Sequence, residues 1–132
     1  MPNYRAIVKR VDAQGSVEKH QVEALRQVIY ADGKINRTEA DFLVELHRRV
    51  RRRTVAFDEF FYKAIKDYIL ADGGISPYHA KWLRIMIFAD GRVDEREAQF
   101  LRELKWEAKV ISDEFDALYK ECTAASAPTT TS

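Results

Sequence analysis

Residues 15–46 read GSVEKHQVEALRQVIYADGKINRTEADFLVEL, and residues 73–104 read GGISPYHAKWLRIMIFADGRVDEREAQFLREL. The two stretches align without a gap at an offset of 58 residues. Extended to residues 15–64 and 73–122, the alignment holds 15 identical pairs in 50 positions, whereas unrelated sequences of ordinary composition share about three. The chain therefore contains an internal duplication, and two copies predict one compact, pseudo-twofold domain rather than an open solenoid.

Apolar residues in both copies recur at spacings of three and four, which is the period of a helix buried on one face. No segment alternates with a period of two for long, so we predict an all-α domain over residues 1–122 with no sheet. The predicted helices are residues 4–12, 18–31, 37–52, 55–71, 77–89, 95–109 and 113–122. The predicted core comprises Leu25, Ile29, Leu43, Leu46, Phe57, Leu83, Ile87, Leu101, Leu104 and Phe115. The polar tail, residues 123–132, is expected to be disordered.

Composition bounds the class of protein. The 132 residues are 46% hydrophobic and 33% charged, with a single cysteine, Cys122, which excludes an internal disulfide or a cysteine-based zinc site. The longest uncharged apolar stretch, residues 85–89, is too short to span a bilayer, and we see no signal peptide, so we expect a soluble, cytoplasmic protein. Nucleotide-binding glycine loops, nucleophile motifs and paired histidines are absent from the sequence, which argues against an enzyme.

A short motif repeats at the predicted helix junctions: ADGKINRTE from Ala31, ADGGISPYH from Ala71 and ADGRVDERE from Ala89. A degenerate copy of the motif, DAQGSVE, begins at Asp12. Helix capping accounts for most of the motif, since glycine permits the positive φ that ends a helix. The Asn or Asp and the Glu three residues later then form a capping box for the next helix.

In the predicted capping boxes, each glutamate of the motif pairs with the N-cap residue three positions before it. Asn36 and Asp94 are the predicted N-caps, with Glu39 and Glu97 at the third helical position. In the middle turn, Ser76 caps and Pro77 takes the first helical position. Capping does not require the aspartates of the motif, Asp32, Asp72 and Asp90, because the helix dipole disfavours an acid at a helix C-terminus.

The doubled ADG-x-(I/V)-x-x-x-E signature resembles that of the TerB-like family, small all-helical domains associated with tellurite resistance. The resemblance covers residues 15–122. It implies a role in tellurite and metal-ion stress, protein partners, and divalent metal binding by acidic residues at the junctions. Carried onto this chain, the signature residues are Asp32, Gly33, Ile35, Glu39, Asp90, Gly91, Val93 and Glu97.

The candidate metal ligands are Asp32, Glu39, Asp90 and Glu97. One turn with two carboxylates is too poor a site for Ca²⁺, so two turns would have to combine. Asp72 and Asp90 lie at opposite ends of one predicted helix, roughly 27 Å apart, and cannot share an ion. Pairing the first turn with the last remains open, and oxygen ligands favour Mg²⁺ or Ca²⁺. Capping alone is the competing interpretation, and no cofactor is certain.

Charge supplies a second candidate site. The net charge is +1, but residues 1–66 carry +5 and residues 67–132 carry −4. The basic excess is concentrated in an arginine cluster, Arg48, Arg49, Arg51, Arg52 and Arg53. This cluster predicts an alternative function as an adaptor that binds phosphate or an anionic membrane surface, peripherally and without sequence-specific nucleic-acid recognition. The competing interpretation is a solvated helix end that complements the helix dipole.

The fifth predicted helix is apolar nearly all round. Trp82 and Ile85 stand where the first copy has Ala24 and Gln27. Such a helix is normally central and covered by its neighbours. The alternative is a surface for a protein partner, including a homodimer contact, around Trp82 and Ile85.

Overall fold

The computed structural model describes residues 4–31, 33–90 and 93–126, and the side chains of these residues other than 4, 90 and 124–126. Seven α-helices lie in this part of the chain: α1 Tyr4–Gln14, α2 Lys19–Ile29, α3 Arg37–Arg49, α4 Val55–Ile69, α5 Pro77–Ile87, α6 Glu95–Glu107 and α7 Asp113–Ser126. A 3₁₀ turn, Phe88–Asp90, follows α5. The all-α prediction is confirmed, and every predicted helix is present.

The helices repeat at the offset found in the sequence. Adding 58 to the bounds of α2 and α3 gives the bounds of α5 and α6 exactly, and α4 and α7 begin 58 residues apart. All ten predicted core residues are buried. The duplication in the sequence is therefore a duplication of local structure.

The chain divides into two compact units. Unit 1 is residues 1–68 and unit 2 is residues 69–132, so the boundary falls inside α4. In unit 1, α1 packs against α3, while in unit 2 both α5 and α6 pack against α7. The prediction that residues 1–122 form one domain stays a prediction.

Two details of the predicted fold are wrong. A two-stranded parallel sheet pairs β1, Gly74–Ile75, with β2, Val110–Ile111. These strands are the extended linkers that precede α5 and α7, and each uses the other to satisfy its backbone groups. In addition, α7 continues to Ser126, four residues beyond the predicted end at Cys122. The rest of the predicted tail, residues 127–132, lies outside the described residues.

Unit 1 pairs the corresponding linkers through two backbone bonds and one side-chain bond. The Gly15 carbonyl accepts hydrogen bonds from the amides of Arg51 (2.8 Å) and Arg52 (2.9 Å). The Thr54 hydroxyl donates to the Val17 carbonyl at 2.6 Å. The counterpart bonds of unit 2 run from Lys109 N to Gly73 O and from Ser112 N to Ile75 O. In unit 1 these bonds join the linker before α2 to the linker before α4. In unit 2 they join the linker before α5 to the linker before α7.

The predicted capping boxes are confirmed. Glu39 N donates to Asn36 Oδ1 at 2.8 Å, and Asn36 N donates back to Glu39 Oε1 at 3.0 Å. Glu97 and Asp94 make the same pair of bonds at the same two distances. The Ser76 hydroxyl accepts from His79 N, with Pro77 at the first helical position.

Removing either N-cap is expected to destabilise the protein by a measurable amount. Asn36→Ala and Asp94→Ala should each lower the free energy of unfolding by about 1 kcal/mol, because each leaves a first-turn amide without its acceptor. Urea denaturation followed by circular dichroism measures the change. The matched controls Asn36→Ser and Asp94→Ser keep a capping oxygen and should restore most of the loss. Equal stability of the Ala and Ser variants would contradict the capping role.

Candidate functional site: the helix junctions, the arginine cluster and the groove of unit 1

The glycine turns end helices as the motif predicts. Gly33 has φ +79° and Gly73 has φ +86°, and the amide of each bonds to the carbonyl three residues earlier, Tyr30 and Leu70. The glycine of the degenerate copy, Gly15, also has a positive φ, +85°. These turns are built by the backbone and require no ligand.

The acidic residues of the junctions are not gathered into a site by the part of the chain that the structure describes. Glu39 and Glu97 each use Oε1 to close their own capping box. Asp72 is exposed, and Asp32 and the side chain of Asp90 lie outside the described residues. Within those residues, no group of three His, Cys, Asp or Glu side chains is placed to hold a metal ion. The metal site, with Asp32, Glu39, Asp90 and Glu97 as its candidate ligands, therefore stays a prediction.

Metal binding has a direct thermal test. If Mg²⁺ or Ca²⁺ binds the native state, millimolar ion should raise the melting temperature, by the equivalent of about 2.7 kcal/mol at 100 times the Kd. The double variant Asp32→Asn, Asp90→Asn should abolish the rise. Glu39→Gln separates the two roles of this residue, because glutamine preserves the capping box while removing the charge of a candidate ligand. If Glu39 binds the ion, this variant should also reduce the rise in melting temperature. Titration calorimetry on chelator-stripped protein that records no heat would leave capping as the whole role of the motif.

Arg49, in the arginine cluster, is held by carboxylates of unit 1. Its guanidinium donates to Glu45 Oε2 and to Asp12 Oδ2, both at 2.8 Å. The hydrogen bond to Glu45, followed by that to Asp12, raises the pKa of Arg49 above its ordinary value. Two of the negative charges of unit 1 therefore neutralise this arginine.

Arg51 and Arg52 cap the end of α1. Arg51 Nη1 donates to the Asp12 carbonyl at 3.0 Å, and Arg52 Nη2 reaches the Gln14 carbonyl at 3.3 Å. Cations favour the C-terminus of a helix, where carbonyls lack helical partners. A Cβ on Gly15 would lie 2.8 Å from Arg51 Nη2, so the glycine also makes room for the guanidinium. All five arginines are exposed, and three of them, Arg49, Arg51 and Arg52, make contacts that stabilise unit 1. The anion-binding function of the cluster stays a prediction.

His47 has a structural role that its sequence context did not indicate. Its ring stacks on Phe61 with centroids 4.1 Å apart. Its Nε2 lies 3.1 Å from Asp58 Oδ1. In the alignment of the two copies, Asp58 pairs with an identical residue, Asp116. This identity is the sequence feature that pointed to a structural role for the partner of His47.

Unit 2 also places a basic residue, a carboxylate and a ring at these positions. Lys105 Nζ lies 4.0 Å from Asp116 Oδ1 and 4.3 Å from the Tyr119 ring centroid. A lysine cannot accept a proton at neutral pH, so the shared feature is packing between the second and last helices of each unit. We therefore assign His47 a packing role.

Unit 1 contains an apolar groove between α1 and α2, with a volume of about 280 Å³. Its lining includes Ile7 and Val11 from α1 and Ala24 and Leu25 from α2, and Arg10 and Gln21 contribute its polar groups. We call this feature the α1–α2 groove. Mostly apolar concavities with a few polar groups are the usual form of binding sites.

One counterpart position on α5 carries a much larger side chain, and the other carries a ring of similar size. Ala24 corresponds to Trp82, and Gln21 corresponds to His79. Trp82 is only 7% exposed, so the expectation that neighbouring elements cover this helix holds for the indole. The alternative, a surface patch around Trp82 and Ile85, fails at Trp82, whereas Ile85 is exposed. A helix position that buries an indole in unit 2 thus presents only a methyl group beside a groove in unit 1.

No protein-family model matches the chain, and no curated protein or solved structure gives a significant match. Among the described residues, no helix combines the length and the apolar character that crossing a membrane requires.

Proposed function

We propose that this chain is a non-enzymatic protein-interaction module whose docking site is the α1–α2 groove, which takes a bulky apolar side chain of a protein partner. One observation carries the proposal: the groove lies beside Ala24, at the helix position where unit 2 buries Trp82. The repeat thus supplies an internal comparison for what this helix position accommodates. An aromatic side chain from a partner would supply to unit 1 the kind of group that unit 2 carries in its own chain.

The chemistry of the rim defines the partner further. Arg10 lines the groove and is exposed, and no ion pair of this arginine is found among the described residues. The neighbouring Arg5 and Lys9 on α1 are exposed as well. A partner segment with an aromatic residue next to a carboxylate therefore matches the groove in both shape and charge.

The TerB-like signature of the junctions supports placing this module in the tellurite and metal-ion stress response. Metal binding at the junctions would then be a separate property of the chain, tested by the melting experiment above. Arg49, Arg51 and Arg52 already hydrogen-bond to groups of unit 1. These contacts favour the groove over the arginine cluster as the docking site.

A small probe tests the groove directly. N-acetyltryptophanamide titrated into ¹⁵N-labelled protein should shift the amide resonances of Ile7 and Leu25, with a Kd on the order of 1 mM. Ala24→Trp should abolish these shifts by placing in the groove the residue that unit 2 has. Ile85→Gln, which copies Gln27 of unit 1 onto the exposed face of α5, is the matched control and should leave them unchanged.

The charge of the rim has its own readout. N-acetyltryptophan, which carries a carboxylate, should bind more tightly than the amide, and Arg10→Gln should remove that difference. Shifts confined to residues away from α1 and α2, or no shifts at the solubility limit of the probe, would contradict the proposed docking site.

A further inference from the structure

Unit 2 exposes two large apolar side chains that its fold does not require. Trp106, near the end of α6, is 88% exposed, and Val110, four residues later in β2, is 69% exposed. The counterparts in unit 1 are Arg48 and Arg52, both exposed. The same local structure therefore forms with charged residues at these positions, and burial in the core does not explain the tryptophan.

An exposed tryptophan is characteristic of a contact surface. Tryptophan is enriched among the residues that dominate binding energy at interfaces, where it fills a desolvated pocket on the partner. The α1–α2 groove provides such a pocket, and Trp82 shows that the corresponding helix position in this fold accommodates an indole. The chain thus presents both a tryptophan without a covering group and a groove without a large side chain.

Charge favours contact between unlike units of two copies. Unit 1 carries a net charge of +4 and unit 2 carries −3, so like units repel each other while unlike units attract. At closer range, Arg10 lines the groove, and Glu103 and Glu107 flank Trp106 on α6. This chain therefore itself carries an aromatic residue with carboxylates beside it, which is the combination that matches the groove.

We propose that the partner of the α1–α2 groove is a second copy of this chain, which inserts Trp106 into it while Val110 covers the edge. The inference rests on the proposed function of the groove and names its occupant. The contact is heterologous, because a surface of unit 1 meets a different surface of unit 2. Each copy brings one groove and one tryptophan.

Two substitutions taken from the repeat test this contact from both sides. Ala24→Trp copies Trp82 into the groove, and Trp106→Arg copies Arg48 onto α6. Both positions are exposed, so circular dichroism should show native helix content for both variants. In sedimentation velocity over a range of protein concentrations, the wild type should self-associate. Each variant should weaken that association by roughly 30-fold or more.

Mixing the two variants gives the sharpest result. The Ala24→Trp protein retains Trp106, and the Trp106→Arg protein retains an open groove. At a protein concentration where the wild type associates, each variant alone should be mainly monomeric. Mixed at that concentration, the two should form a 1:1 dimer with wild-type affinity for a single contact. Ile85→Gln, which removes another exposed apolar side chain of unit 2, should associate like the wild type.

The outcomes separate this inference from the proposed function. A wild type that remains monomeric at every concentration while its groove binds N-acetyltryptophanamide overturns the inference and leaves the groove as a site for another protein. Self-association that survives Trp106→Arg also overturns it, because the contact then lies elsewhere. A groove that binds no indole probe and a chain that does not associate would remove both proposals together.

Discussion

Replacing Phe61 with alanine is expected to lower the free energy of unfolding by about 3–5 kcal/mol. The Phe61 ring is 2% exposed and is surrounded by rings. It stacks on His47 at 4.1 Å and meets the edge of Tyr62 at 5.0 Å. Truncation would remove these contacts and leave a cavity between α3 and α4 that the rigid helices cannot close, so the loss exceeds the transfer free energy of the ring alone.

Equilibrium denaturation in urea measures the effect of Phe61→Ala. Val55→Ala is the matched control on the same helix, because Val55 is exposed and its truncation should change the free energy of unfolding by less than about 0.5 kcal/mol. The difference between the two losses in free energy of unfolding measures the contribution of the aromatic cluster. A loss below about 1 kcal/mol for Phe61→Ala would contradict the assignment of His47 and Phe61 to core packing.

Cys122 is expected to react with Ellman's reagent at least about 100-fold more slowly in the folded protein than in the unfolded chain at the same neutral pH. Burial, aided by the charge of Glu121, raises the pKa of the Cys122 thiol from 9.0 to about 11. A pKa two units higher lowers the thiolate fraction about 100-fold, and only the thiolate attacks the reagent. The thiol is also fully buried, which slows the reaction further.

The measurement compares the absorbance change of the reagent with native protein and with protein in guanidinium chloride. Raising the pH towards 11 should accelerate labelling of the folded form, because the thiolate fraction then grows. Cys122→Ala is the control for background colour, and the fold should accept it, since the first copy has Ala64 at the same position, also fully buried. Equal rates in the folded and unfolded states would show that the thiol is accessible.

Most of the helical structure follows from local sequence. The capping residues Asn36, Ser76 and Asp94 fix where α3, α5 and α6 begin, because an N-cap interaction joins residues only three positions apart. The predicted core was correct for the same reason: helical periodicity and the duplication identify inward positions independently. Helix ends were less exact, as α7 shows by continuing to Ser126. No glycine or proline stops it at Cys122, so local sequence gave no definite end.

The sequence by itself determined the all-α class, the duplication, the helix starts and the buried positions, since each depends on neighbours within a turn or two or on the repeat. Only the tertiary structure decided what distant residues do. Arg51 and Arg52 cap α1 from nearly 40 positions away, His47 lies on Phe61, and Trp82 is buried while Trp106 is exposed. These outcomes depend on which helix faces meet, and packing between elements selects among side chains that local patterns leave equivalent.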